Sequence, residues 1–222
     1  MEIRTIFHNK LREIQDDVLA MGSMVEKATN RSIEALKERD IEKAHEIIAD
    51  DLKINRQRFN IEEKCVQLIA TQQPMASDLR TIISVLYIIT EIERIGDHAE
   101  GIAKIVVMIG DEPPLKPLVD LPLMAKKAAD MLHRSLDAFI NRDADAAKQI
   151  VSEDDEVDNL YDQVFRELLT FMAEDPKTIT RATRLIWVAH NLERSADRVT
   201  NICERVVYMV TGKMEEMNIS KY

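Results

Sequence analysis

The sequence is poor in residues that bend, cross-link or anchor a chain. Only five Gly and six Pro are spread over 222 residues, and aromatics make up 5%, so long helices are favoured over a sheet. The two cysteines, Cys65 and Cys203, lie far apart among helix-forming residues, with no Cys-x-x-Cys or Cys/His ligand spacing. That pattern points to a reducing cytoplasm rather than a disulfide framework. No apolar run approaches the ~20 residues that span a bilayer, and Met1-Glu2-Ile3-Arg4 lacks a charged-then-apolar leader pattern. The protein is therefore expected to be neither exported nor membrane-spanning. Runs of five or more Lys/Arg are absent and the formal charge is −10, which repels a phosphate backbone and argues against nucleic-acid binding.

Catalytic signatures are missing as well. Neither a G-x-x-x-x-G-K-[ST] phosphate loop nor a G-x-G-x-x-G turn occurs. His8, His45, His98, His133 and His190 are scattered and pair with no Ser or Cys in a nucleophilic pattern. A di-iron carboxylate bundle needs Glu-x-x-His on two helices, but Gly96 and Ala196 stand three residues after Glu93 and Glu193.

What is present is helical periodicity, and it occurs twice. Ile14, Val18, Met21 and Val25 mark a first helix over Asn9 to Arg39. Asp40 is placed as N-cap of a second helix that runs to Thr71. Pro74 opens a third, from Met75 to Ile109, closed by Gly110. Residues 111–120, with Pro113, Pro114 and Pro117, read as a linker. Beyond it, Arg134-Ser135-Leu136-Asp137-Ala138-Phe139 repeats Arg31-Ser32-Ile33-Glu34-Ala35-Leu36, and Arg142-Asp143 repeats Arg39-Asp40, at an offset of 103. Leu192-Glu193-Arg194-Ser195-Ala196-Asp197 repeats Ile92-Glu93-Arg94-Ile95-Gly96-Asp97 at an offset of 100. The expected fold is all-α: two tandem three-helix bundles, six helices in all, over residues 1–110 and 121–222. The many methionines, among them Met21, Met24, Met124, Met131, Met172 and Met209, read as core filler.

At 100° per residue, Glu93, Asp97 and Glu100 fall within about 60° of one another, opposite Ile88, Ile95, Ile102 and Ile109. The same arithmetic groups Glu193, Asp197 and Glu204. Adjacent acids at i, i+4 repel by roughly 0.2–0.5 kcal/mol, so placing them together twice costs stability unless a cation intervenes. The second helix of each half adds Asp51 with Asn55, and Asp154 with Asp158, as oxygen donors. An oxygen-only set suits Mg²⁺, Ca²⁺ or Mn²⁺ and holds Fe or Zn with weaker discrimination. The competing reading is a set of solvated helix faces balanced by Arg94, Arg194, Lys104 and Arg198, and repetition of the pattern favours the site.

Several stretches resemble the PhoU family of bacterial phosphate-uptake regulators, over essentially the whole chain. They are Gln72-Gln73-Pro74-Met75-Ala76-Ser77-Asp78-Leu79-Arg80, Glu91 to Asp97, Met131-Leu132-His133, Leu136 to Phe139, and Leu192 to Arg198. The family's E(D)xxxD metal motif is matched by Glu93/Asp97, Asp154/Asp158 and Glu193/Asp197; after Asp51 the final Asp is replaced by Asn55. The resemblance implies divalent or trivalent metal clusters (Fe, Zn, Mn or Mg) on these residues, homodimers, and no catalytic role. It also implies a cytoplasmic negative regulator of phosphate uptake and phosphate-starvation signalling, an adaptor between the phosphate-importer ATPase and a phosphate-sensing histidine kinase. Two other classes stay open: a metal-dependent hydrolase or oxidase using the clustered carboxylates, and a helical adaptor that binds no metal.

Overall fold

A computed structural model describes residues 2–215 and 217. The last part of the expected second bundle, residues 216 and 218–222, lies outside the described residues, as does residue 1. Among the described residues there is no strand. The first half is α1 (Glu2–Glu38), α2 (Ile41–Gln72) and α3 (Ser77–Ile109). The second is α4 (Asp120–Asn141), a second helix in two pieces, α5 (Ala144–Ser152) and α6 (Asp154–Glu174), a short 3₁₀ turn at Pro176–Thr178, and α7 (Ile179–Thr211).

Local chemistry sets the helix ends. Asp40 caps α2 by accepting from the Lys43 amide at 2.9 Å, and Asp143 caps α5 by accepting from the amides of Asp145 and Ala146. The residues before them, Arg39 and Arg142, take the left-handed conformation at φ 58° and 55°. The repeated Arg-Asp pair is thus a helix-to-helix turn, not a reactive site. Gly110 and Gly212, at φ 61° and 74°, close α3 and α7.

Two differences from the sequence expectation have simple causes. Helix α1 starts at Glu2 rather than near Asn9, because Phe7 and Leu11 continue the buried stripe of Ile14, Val18, Met21 and Val25. The second helix of the second half is interrupted at Glu153. Its amide donates three residues back, to Ile150, at 3.1 Å, which tightens the turn, and Asp154, Asp155 and Glu156 then occupy a new helix N-terminus where acids are favoured.

The halves share one continuous core. Central helices α3 and α7 pack on each other more extensively than any other pair, burying Ile88, Ile92 and Ile102 beside Val188, Leu192 and Ile202. Helices α1 and α4 also cross, at Gly22. A Cβ there would stand 2.2 Å from Leu136 Cδ1, so glycine permits the close approach. Of the methionines read as filler, Met21, Met124, Met131 and Met209 are buried, with Met24 and Met172 packed at the core's edge. The Arg-Ser repeat clamps the first two helices of each half: Arg31 pairs with Asp50 at 3.1 Å and Arg134 with Glu153 at 2.9 Å. Residues 110–119 lie against the second half. Arg181 donates to the Pro113 carbonyl at 3.2 Å, Arg184 pairs with Glu112 at 3.3 Å, and the nearly buried Lys116 pairs with Asp120 and Glu167. Among the described residues, no helix is long and apolar enough to cross a membrane.

Candidate functional site

The packing of α2 on α3, and of α6 on α7, brings the repeated acids into two faces, one per half. In the first, α2 supplies Asp51 and Asn55, and α3 supplies Glu93, Asp97 and Glu100. Asp51 is buried at 9% exposure. Its Oδ2 accepts from Asn55 Nδ2 at 2.8 Å, while its Oδ1 is buried without a hydrogen-bond partner. Burial, followed by repulsion from Glu100, Asp97 and Glu93, pushes the Asp51 carboxyl up to about 6. Burial and Asp97 raise Glu93, and burial and Glu100 raise Asp97. Two cations answer this charge from within the fold. Arg58 Nε stands 3.5 Å from Glu93, and Lys104 reaches Glu100 at 2.5 Å.

In the second face, α6 supplies Asp154 and Asp158, and α7 supplies Glu193 and Asp197. Burial raises Glu193 to about 7, with Asp197, Asp158 and Asp154 adding to the rise and Arg194 opposing it. Arg194 stands 3.2 Å from Glu193 and 2.8 Å from Asp197. His190 Nδ1 lies 3.6 Å from Glu193, and burial, then Arg194, lowers its affinity for a proton. At the position of Arg58 this half has Tyr161, whose ring lies 6.2 Å from that of His190.

All eight sequence-derived candidates lie on these two faces: Asp51, Asn55, Glu93 and Asp97 on one, Asp154, Asp158, Glu193 and Asp197 on the other. Glu100 belongs with the first. Glu204 does not join the second, since eleven residues of helix from Glu193 amount to about 16 Å, and its carboxylate accepts from the Met217 amide at 2.8 Å. Sequence reasoning missed Arg58 and Tyr161. Each lies seven residues beyond the first acid of its pair, on the same helix face, so extending the spacing by one heptad finds both. Among the proposed balancing cations, Arg198 pairs across to Glu91 at 3.5 Å and Arg94 pairs with Glu91 at 3.2 Å, away from the stripe.

The donor chemistry fits a hard cation: carboxylate oxygens that repel one another, with one buried Asp51 oxygen unpartnered. The side chains as they lie are not drawn together around a point. Among the described residues no three His, Cys, Asp or Glu side chains are grouped closely enough to hold an ion. A cation would have to be met by rotation of these side chains. The thiols take no part, since burial pushes both Cys65 and Cys203 up to about 12.

A duplicated three-helix bundle with one carboxylate face per half defines the class of protein. The PhoU domain model matches the chain twice, over residues 18–106 and 121–206. The chain is 40% identical over 216 residues to the phosphate-specific transport system accessory protein PhoU homolog of Clostridium acetobutylicum, covering 97% of this chain and 99% of that one. It is 37% identical to the PhoU accessory protein of Escherichia coli K12, over 93% and 86% of the two chains. The crystal structure of PhoU from Pseudomonas aeruginosa superposes with a TM-score of 0.88 at 38% identity, covering 93% of this chain and all of that one. That of the phosphate transport system regulatory protein PhoU from Streptococcus pneumoniae gives 0.88 at 33% identity, over 95% and 99%. The chain belongs to the PhoU family.

Proposed function

We propose that this protein is an accessory regulator of phosphate transport that acts by docking its carboxylate faces on its partners, with a bound cation relieving their self-repulsion. The observation that carries the reading is near-complete coverage: 97% of the chain aligns at 40% identity with a relative named as an accessory protein of the phosphate-specific transport system. The partners that fit are the ATPase subunit of a phosphate importer and a phosphate-sensing histidine kinase, and the effect is to restrain uptake and the starvation response when phosphate is plentiful. Asp51, Asn55, Glu93 and Asp97 would hold a cation on one face, and Asp154, Asp158, Glu193 and Asp197 on the other. A bound metal supplies positive charge, not a reaction step. The chain's own residues then present a neutralised surface on a rigid pair of helices, α3 and α7, on which a partner can register.

The test is co-purification with the importer ATPase and the kinase, together with a phosphate-starvation reporter in cells. The Glu93→Ala/Asp97→Ala and Glu193→Ala/Asp197→Ala variants combined are expected to keep the helical circular dichroism signal, to lose both partners and to leave the reporter on in high phosphate. Unchanged partner binding would refute docking through these faces.

A further inference from the structure

Helix α2 uses two of its sides inside the fold and turns a third outward. Toward α1, Gln57 and Lys64 reach Asp17, and Asp50 takes Arg31. Toward α3, Arg58 stands by Glu93. Between these sides runs an exposed ridge. Leu52, Arg56, Phe59, Glu63 and Val66 follow one another at alternating steps of four and three, and Ala49 and Ala70 extend it by one step at either end. At 100° per residue all of them fall within about 100° of one another. Each is exposed, with Leu52, Phe59 and Val66 at 61%, 58% and 56%. Alternating steps of three and four make the seam along which one helix packs on another.

The second half does not repeat this ridge. At the offset of 103, Asp155, Asn159 and Asp162 stand where Leu52, Arg56 and Phe59 are, and the helix is interrupted at Glu153. One copy of the duplicated helix thus has a polar outer face and the other an apolar one, so helix formation alone does not call for Leu52 and Phe59.

The order of the ridge says what fits it. Turned end for end about Phe59, Leu52 of one copy lies over Val66 of the other, Arg56 over Glu63, Ala49 over Ala70, and Phe59 over Phe59. Apolar positions meet apolar ones, and each charge meets its opposite twice, as a two-fold contact requires. Laid parallel, the same ridge would set Arg56 on Arg56 and Glu63 on Glu63. Among the described residues neither Arg56 nor Glu63 forms an ion pair within the chain; Glu63 accepts from Gln67 at 3.3 Å. The Phe59 ring is held in place, since Arg58 lies 4.4 Å from its centre while bridging Glu62 and Glu93.

We propose that this ridge is a self-association surface: two copies of the chain pair antiparallel along α2, about a two-fold axis at Phe59, over roughly 32 Å of helix. The occupant is a second copy because the ridge is complementary to itself in both apolar order and charge. The inference uses neither acid face and no cation, so it fails or stands separately from the docking role.

The test is sedimentation velocity on the full chain at up to about 100 µM, because a single helix pair is a small interface. Salt is kept at about 0.15 M, where a Debye length of about 8 Å screens repulsion between two chains of charge −10. Wild type is expected to dimerise reversibly. Phe59→Glu should weaken the dimer at least about tenfold, since the change enters twice. Arg56→Glu and Glu63→Arg should each weaken it severalfold, and Arg56→Glu/Glu63→Arg together should return to within about twofold of wild type. Leu52→Cys mixed with Val66→Cys should form an inter-chain disulfide on oxidation, far more than either alone, while the native thiols are buried. Every variant is checked for unchanged helical circular dichroism. A monomeric wild type, which leaves the ridge to another protein, would overturn the proposal. So would a dimer that survives Phe59→Glu, or a charge-exchanged double variant that is not restored.

Discussion

The first acid face takes counter-ions from both of its helices, Arg58 of α2 and Lys104 of α3, while in the second Arg194 of α7 answers both Glu193 and Asp197. Arg58 stands by Glu93, Lys104 by Glu100, and Asn55 donates to Asp51. In the second half the same places hold Tyr161, Glu204 and Asp158, and burial, with repulsion from Asp197, Asp158 and Asp154 added, raises Glu193 to about 7. Duplication has thus kept the acids while the surroundings diverged. Even with Arg194 at 3.2 Å, the charged form of Glu193 is unfavourable in this half-buried setting.

The largest effect that probes the comparison lies beneath the faces. Ile92→Ala and Leu192→Ala remove equivalent, fully buried side chains, and each should cost about 2–5 kcal/mol in urea unfolding, with a single transition retained. Two separate transitions would mean that the halves do not share a core. Next comes pH. Glu193 holds its proton up to about 7 in the folded state against an ordinary value of 4.5, so the folded state binds that proton more tightly than the unfolded one. The carboxyl's contribution is therefore most favourable below 4.5 and is lost as pH rises to 7. In chelator-treated buffer at pH 8, Glu193→Gln should stabilise the protein by on the order of 2 kcal/mol, and the gain should vanish near pH 4.5. Glu93→Gln should gain less, because burial and Asp97 raise its carboxyl less far than Glu193 is raised. Equal gains would erase the distinction between the faces.

Smaller effects sharpen it. Asn55→Asp removes the donor to Asp51 and adds a like charge, so it should lose about 1 kcal/mol without metal at pH 8 and recover the loss when Mn²⁺ is added, as followed by thermal melts. Exchange of the counter-ion positions is smaller still. Arg58→Gln should raise Mn²⁺ affinity at the first face severalfold, and Tyr161→Arg should lower it at the second by a similar factor, on the order of 1 kcal/mol in each case; calorimetry reads both.

Much of this architecture was legible in the residues. The apolar stripes from Ile14 to Val25 and through Ile88, Ile95 and Ile102 placed helices, and Asp40, Gly110 and the Arg-Asp repeat placed their ends, because each acts within a turn or two. The acid stripes were legible for the same reason. What escaped depends on contacts between helices or on competition inside one. Arg58 reaches Glu93 only because α2 lies against α3, and Tyr161 meets His190 only because α6 lies against α7. The interruption at Glu153 arises where three consecutive acids gain more from a helix N-terminus than from an unbroken helix interior. Glu204 shares an angle with Glu193 but not a height along the helix, which the helical wheel ignores.

Metal content per chain, by elemental mass spectrometry on protein purified without chelator or added metal, separates the two faces in one measurement. Wild type, Asp51→Asn/Asp97→Asn and Asp158→Asn/Asp197→Asn should be compared, each with its helical content checked. Wild type is expected to carry metal, the first-face variant to retain most of it, and the second-face variant to lose most of it. A wild type without metal, or equal losses from both variants, would contradict the division of labour between the faces.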